Sequence, residues 1–288
     1  MKKTLAIALA GTIALVGAGY FVWRGMARTS APAATVTVVE VRGEVTVLRA
    51  GTQRPLRAGE RLARADRVTT GPGGRARLRL ADGSRVALEE GSSFDVGRLT
   101  TDVAAFRLGK GLVAADVVVD AARTFRLDAP AGTRTETVGG RFEVGGDETG
   151  TTVAAQEGNV TVAAGGARVE LGAGQQTRVA PGGRPEDPSA IPRTVFLKVR
   201  WPGKTVPSDR QIVSGETTPG ALVRVGGHTT RAGANGRWQA EVELGEGENR
   251  LTVTARAPGA GSAREESHGI TVDTTPPPLE AETGNLWR

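Results

Sequence analysis

Val41-Arg42-Gly43-Glu44-Val45-Thr46-Val47 sets a pattern that returns as Glu157-Gly158-Asn159-Val160-Thr161-Val162. From Gly43 the steps are +2 to Val45, +4 to Val47, +13 to Leu56 and +16 to Gly59. From Gly158 the same steps reach Val160, Val162, Leu171 and Gly174. The shared spacing predicts one supersecondary unit used twice. Alternation places Val45 and Val47 on one strand face, with Glu44 and Thr46 on the other. The glycine that follows each leucine suits a turn needing positive φ.

Outward from this stretch, the pattern from Val36 on is all β. Candidate strands are Thr37–Val41, Val45–Leu48, Ala76–Leu80, Arg85–Leu88, Ser93–Val96, Val103–Leu108 and Val113–Val119. Thr124–Leu127, Arg141–Val144, Thr152–Ala155, Val160–Val162 and Arg168–Leu171 continue the series. Asp82-Gly83 and Gly145-Gly146-Asp147 mark hairpins between them. Leu112–Ala122 has the length of a helix, but Val117-Val118-Val119 is β-branched and favours a strand.

The chain has 288 residues, room for about two domains after a targeting segment. Forty-one glycines and 4% aromatics imply many turns and thin cores. With no cysteine there is no disulfide, thiolate metal site or lipidated cysteine. The net charge of +6 rests on arginine far more than lysine. That bias is not read as nucleic-acid binding.

Lys2 and Lys3 precede an uncharged run, Thr4–Trp23. As a helix it would span ~30 Å, one bilayer core. Residues 1–25 are therefore expected to be a transmembrane signal anchor, with the body in the periplasm or outside the cell. The rival is a signal peptide cut after Ala18, which would leave a secreted protein. Residues 26–35 read as a tether, and Pro181–Pro192 as a semi-rigid linker with its core at 182–192. Residues 276–288 read as a disordered tail.

The succession Arg42-Gly43-Glu44-Val45, Leu56…Gly59-Glu60, Arg67-Val68-Thr69-Thr70-Gly71-Pro72-Gly73-Gly74 and Leu80-Ala81-Asp82-Gly83-Ser84 resembles the FecR domain. Leu127-Asp128-Ala129-Pro130 and Val138-Gly139-Gly140-Arg141-Phe142 extend the resemblance. It implies a FecR-like β domain over 36–181. Sigma-regulating members carry a cytoplasmic domain, whereas only Met1–Lys3 precede the apolar run here, so the resemblance implies an extracytoplasmic β domain rather than a sigma regulator. Val213-Ser214-Gly215, Asn235-Gly236-Arg237-Trp238 and Thr271-Val272-Asp273-Thr274 resemble bacterial Ig-like modules of the glucodextranase domain B type. That resemblance implies an Ig-like β-sandwich over 193–275. Trp238 is expected in its core.

Catalytic and metal patterns are thin. His228 and His268 fall in expected loops, without metal spacing. Asp116 and Asp120 would share a strand face, yet lack the further ligands calcium needs. Glu89-Glu90 and Asp147-Glu148 read as ordinary acidic turns. No enzyme, cofactor, metal site or nucleic-acid partner is expected. The one distinctive set is Arg75, Arg77 and Arg79, alternating with Ala76, Leu78 and Leu80. It forms a candidate anion-binding face; the plain alternative is a solvated face opposite a core. The expected function is a non-enzymatic, membrane-anchored envelope protein whose β domains bind an envelope polymer or envelope protein. The alternative is an extracytoplasmic sensor or regulatory subunit of a FecR-type signalling system, acting through a partner. A carbohydrate-active enzyme rests on fold analogy alone.

Overall fold

The computed structural model describes residues 35–275, and among them the chain is all β with no helix. The expected N-terminal helix and the tail lie outside the described residues. No helix among the described residues is long and apolar enough to cross a membrane.

The first unit begins with β1 (Val36–Arg42), β2 (Val45–Arg49), β3 (Thr52–Pro55), β4 (Arg61–Leu62), β5 (Arg67–Thr70) and β6 (Arg75–Leu80). Next come β7 (Arg85–Leu88), β8 (Ser93–Leu99), β9 (Val103–Val117), β10 (Thr124–Ala129) and β11 (Thr133–Thr137). It ends with β12 (Gly140–Asp147), β13 (Gly150–Gly158), β14 (Val160–Ala164), β15 (Ala167–Leu171), β16 (Gln175–Val179) and β17 (Ser189–Ala190). These form two layers. The front order is β4-β1-β6-β7-β9-β12-β13-β16-β17. The back order is β3-β2-β5-β8-β9-β10-β11-β14-β15. Neighbours are antiparallel except β9 and β10, which run parallel.

β9 belongs to both layers. Its first half pairs with β8 and β10 in the back; Gly111–Val117 pair with β7 and β12 in front. The two candidate strands Val103–Leu108 and Val113–Val119 are thus one strand that changes layer at Gly109-Lys110-Gly111. Inward residues of both layers make one core, including Leu78, Leu88, Leu127 and Val144. Phe94, Phe106, Phe125 and Phe142 form a chain of aromatic contacts through it, with centroids 5.1, 5.2 and 5.8 Å apart. Phe142 is on the front layer and the others on the back, so the chain of rings ties the layers together.

The sequence repeat is structural. β1 and β2 lie on β6 and β5; β13 and β14 lie on β12 and β11 in the same manner. Gly43 has φ +61° and Gly158 has φ +74°. A Cβ on Gly43 would sit 2.5 Å from the Gly73 carbonyl oxygen; on Gly158, 2.7 Å from that of Gly139. Each glycine therefore lets the chain pass from front to back beside a neighbouring backbone. The amide of Gly59 donates to Val38 O, and that of Gly174 to Ala155 O, both at 2.8 Å. Val45, Val47, Leu56 and their counterparts Val160, Val162 and Leu171 are all buried.

The second unit contains β18 (Leu197–Arg200), β19 (Thr205–Val206), β20 (Arg210–Thr217), β21 (Leu222–Val225) and β22 (His228–Arg231). β23 (Arg237–Glu243), β24 (Gly247–Asn249), β25 (Thr252–Ala257), β26 (Gly261–Glu266) and β27 (Ile270–Val272) complete it. They form sheets β18-β20-β23, β19-β27-β24 and β22-β21-β25-β26. Their shared core is separate from the first and includes Val213, Val223, Val253 and Trp238. Trp238 lies inside as expected, its ring over Gly215, where a Cβ would meet it at 2.7 Å.

Pro181–Pro192 differs from the expected spacer. Glu186 N donates to Arg178 O at 2.8 Å, Ile191 N donates to Gly174 O at 2.9 Å, and β17 pairs with β16. The prolines leave enough amides free for this segment to close the edge of the front layer, as a short edge strand can.

One buried acid fixes the β4–β5 turn. Asp66 is 1% exposed and accepts hydrogen bonds from Arg49 Nε at 2.8 Å and from the amide of Ala63 at 2.7 Å. Burial, the largest influence, pushes its carboxyl up, but the bonds from Arg49 and Ala63 and the nearby arginine charges together hold it below the usual aspartate value. A depressed carboxylate gives stability that is fully present above its unfolded pKa, ~3.9. That stability is lost as pH falls through the folded value. Asp66→Asn should cost about 1–3 kcal/mol at neutral pH. It should also flatten the acid limb of the stability curve below about pH 4. Urea midpoints at pH 7 and pH 3 check this; an unchanged difference between the two would refute it.

Candidate functional site

The outward face of the front layer collects the chain's distinctive charges. Residues paired across neighbouring strands share a face and interact. In the first row Arg79 stands opposite Arg85, Arg85 opposite Asp116, Asp116 opposite Arg141, and Arg141 opposite Glu157. In the second, Glu40, Arg77, Ala87, Ala114, Glu143 and Ala154 follow one another. In the third, Arg42 faces Arg75, and Leu112, Gly145 and Thr152 continue the line.

Arg75, Arg77 and Arg79 do point outward on one strand, while Ala76, Leu78 and Leu80 are buried. Their partners differ. Arg75 Nε lies 2.9 Å from Glu89 Oε2, and Arg77 Nη1 donates to Glu40 Oε2 at 2.9 Å. Glu40 also pairs with Arg42. Exposed pairs of this kind contribute little stability. Arg79 forms no ion pair among the described residues, and it faces another arginine, Arg85, a juxtaposition that costs stability. Arg85 is balanced by Asp116 at 2.6 Å. Between them lies a groove of about 590 Å³ whose rim includes Val39, Arg77, Arg79, Arg85 and Arg141. Ala87 and Ala114 of the second row give it a small apolar floor, and Glu40 and Asp116 line it beside the arginines.

The second unit covers the far ends of the third and second rows, at Gly145, Thr152 and Ala154. Leu112 and Ala154 face outward from the front layer yet are fully buried. Arg231 seals this contact. Its Nε donates to Asp147 Oδ2 at 3.0 Å, its Nη1 to Gly220 O at 2.6 Å and its Nη2 to Gly111 O at 2.8 Å. Burial pushes its guanidinium pKa down, with Asp147 opposing. Arg256 pairs with Glu89 and, at 3.2 Å, with Glu143; Arg224 lies 3.1 Å from Glu90. The amide of Gly259 donates to Glu143 Oε2 at 3.0 Å. On Arg256 burial again acts downward, but Glu143 and Glu89 outweigh it and leave the pKa raised. Glu89-Glu90 and Asp147, expected as ordinary acidic turns, are therefore the receptor half of an interdomain clamp.

Other sequence candidates scatter. His228 begins β22 and is exposed, rather than lying in a loop, and His268 precedes β27. Asp116 is engaged by Arg85, while Asp120 lies beyond the end of β9 and accepts from the Ala122 amide at 2.9 Å, so they do not form a shared ligand face. Among the described residues no group of three or more His, Cys, Asp or Glu side chains is placed to hold a metal ion. A wider hollow of about 940 Å³ opens on the back layer near Gly165 and Gly166, where Arg134 and Asp128 neutralise each other at 2.8 Å.

The architecture is a layered all-β protein with a docked second β unit. The FecR protein family matches residues 66–161, which run from the start of β5 into β14 and contain the layer-crossing strand. Two crystal structures of a candidate anti-sigma factor from Parabacteroides distasonis ATCC 8503 are similar to this chain at 20% and 19% identity, each with a TM-score of 0.40. Each match covers 43% of this chain and 59% of that chain, so this chain spans less than two thirds of their length. No curated protein matches the chain.

Proposed function

We propose that this chain is a non-enzymatic regulatory protein of the FecR type, acting through a protein partner, with its β units outside the cytoplasm. The observation that carries the reading is the FecR match over 66–161, which contains β6, β7, β9 and β12, the strands of the arginine groove. The second unit is read as an Ig-like module, supported by its separate core around Trp238. The apolar run Thr4–Trp23 supports membrane anchoring. The test is deletion in the native organism followed by transcript profiling. A defined set of transcripts should change and be restored by the intact gene; an unchanged profile would sink the regulatory reading.

The uncompensated Arg79 favours a second reading, an envelope protein that holds an acidic polymer. Changing Arg75, Arg77 and Arg79 together to glutamine should leave the fold within about 0.5 kcal/mol per site. It should weaken binding to isolated peptidoglycan at low salt. The loss should shrink at high salt, since the Debye length falls from ~10 Å at 0.1 M to ~3 Å at 1 M. Equal binding by parent and variant in both salts removes this face from polymer binding.

A further inference from the structure

Beside the arginine groove lies an apolar patch that neither core absorbs. Val118, Val119 and Val138 are 48%, 78% and 47% exposed. They are held together by backbone contacts: the Asp120 amide donates to Val138 O at 2.9 Å, and Val119 packs on Gly139, where a Cβ would lie 2.6 Å from it. The patch is continuous with the groove. Val118 follows the last residue of β9, and its Cγ2 is 3.7 Å from the Cβ position of Gly83, which lines the groove. The first row begins at this end, because Arg141 and Asp116 directly adjoin the Gly140–Val117 pair.

We infer that the row Arg79, Arg85 and Arg141 and the patch Val118, Val119 and Val138 form one docking surface for an extended, acidic segment of a protein partner that also carries apolar side chains. Three observations converge. Arg79 and Arg85 are opposed like charges; Asp116 balances Arg85 and Glu157 pairs with Arg141, while Arg79 has no ion pair among the described residues, so an incoming carboxylate would relieve a standing repulsion there. The row crosses four strands, about 14 Å at ~4.8 Å per spacing. That is the reach of about four extended residues at ~3.4 Å each. Exposed valines next to arginines have the composition of a protein interface, where an apolar centre is flanked by guanidinium groups. A glycan or phosphate polymer has little use for the valines. The inference deepens the regulatory reading and rests on it for the class of partner.

The test uses the full chain and three probes: a fluorescent decapeptide of alternating glutamate and valine, its glutamate–serine counterpart, and solubilised peptidoglycan fragments. Two surface variants are compared with the parent, Arg79→Gln with Arg85→Gln, and Val119→Ser with Val138→Ser, each first matched to the parent by thermal melting. The glutamate–valine peptide should bind the parent most tightly, and each variant should weaken it about tenfold or more. Absence of binding, or equal binding to all three proteins, overturns the inference. Peptidoglycan binding that is lost with the arginines but indifferent to the valines overturns it in favour of the polymer. A dimer that the valine variant converts to monomer in light scattering overturns it in favour of a second copy. Transcript changes rescued equally by both variants would sink the surface and leave the regulatory reading; peptide binding with no transcript change would do the reverse.

Discussion

Replacing Gly111 with alanine should destabilise the first unit well beyond the same change at an unobstructed turn glycine. Gly111 is where β9 leaves the back layer and enters the front one, with φ +103°. An alanine there pays about 1–2 kcal/mol for the left-handed backbone. Its Cβ would also lie 2.3 Å from Ser92 Oγ and 2.4 Å from Ser92 Cα. Ser92 has no room to retreat. It is fully buried, its Oγ accepts from the Leu112 amide at 3.1 Å and donates to Leu112 O at 3.2 Å. Overpacking against backbone adds about 1–3 kcal/mol. The sum, about 2–5 kcal/mol, is a large share of the ~5–15 kcal/mol that holds a domain. Near 2–4 °C per kcal/mol, the melting temperature should fall by about 10 °C. Gly59→Ala is the control. Its φ is +85°, but nothing lies within 4 Å of the added Cβ, so only the backbone cost of about 1–2 kcal/mol applies. Circular-dichroism melts of both variants decide the matter. If Gly111→Ala melts no lower than Gly59→Ala, the crossing does not depend on this residue.

That crossing shows where reading the sequence stops short. Gly109-Lys110-Gly111 has the composition of a turn, so Val103–Leu108 and Val113–Val119 read as two strands. Only pairing with four neighbours, two in each layer, reveals one continuous β9. β11 was invisible for a different reason. Thr133, Thr135 and Thr137 are buried, and threonine methyls pack like short apolar groups while the sequence reads as polar. The outward turn of Arg75, Arg77 and Arg79 was legible because a period of two needs no tertiary information. The partners of those arginines were not: Glu40 comes to Arg77 through a bulged pairing 37 residues away. The acidic turns looked ordinary because their arginines lie far away in sequence, 84 residues on for Asp147. The alternation thus told that these arginines face outward but not which of them lacks a partner; it is Arg79, opposite Arg85, that is left without an ion pair among the described residues.

The clamp makes the second large prediction. Arg231→Ala should uncouple the two units. In the parent, Arg231 is 4% exposed and connects the Gly220 loop of its own unit to Asp147 and the Gly111 carbonyl of the other. Removing it leaves Asp147 and two backbone carbonyls without their shared donor at a covered contact. Breaking a buried charge pair from one side costs about 3–5 kcal/mol. Asp147 keeps some access to water, 24%, so the lower end of that range is expected. The loss falls on docking rather than on either core, because the two clusters share no residue. The parent should therefore melt in one transition and resist cleavage in Pro181–Pro192, since that segment is paired to β16 and the units are clamped above it. The variant should show two transitions, with Pro181–Pro192 cut first by a low dose of protease, releasing two β-rich fragments. Arg210→Ala serves as the comparison: its pair with Glu243 is exposed on both sides at 3.7 Å and should contribute within about 1 kcal/mol. A variant at Arg231 that keeps one transition, the parent's melting temperature and the parent's protease resistance would show that Arg256, Arg224 and the buried surface at Leu112 and Ala154 hold the units together without it.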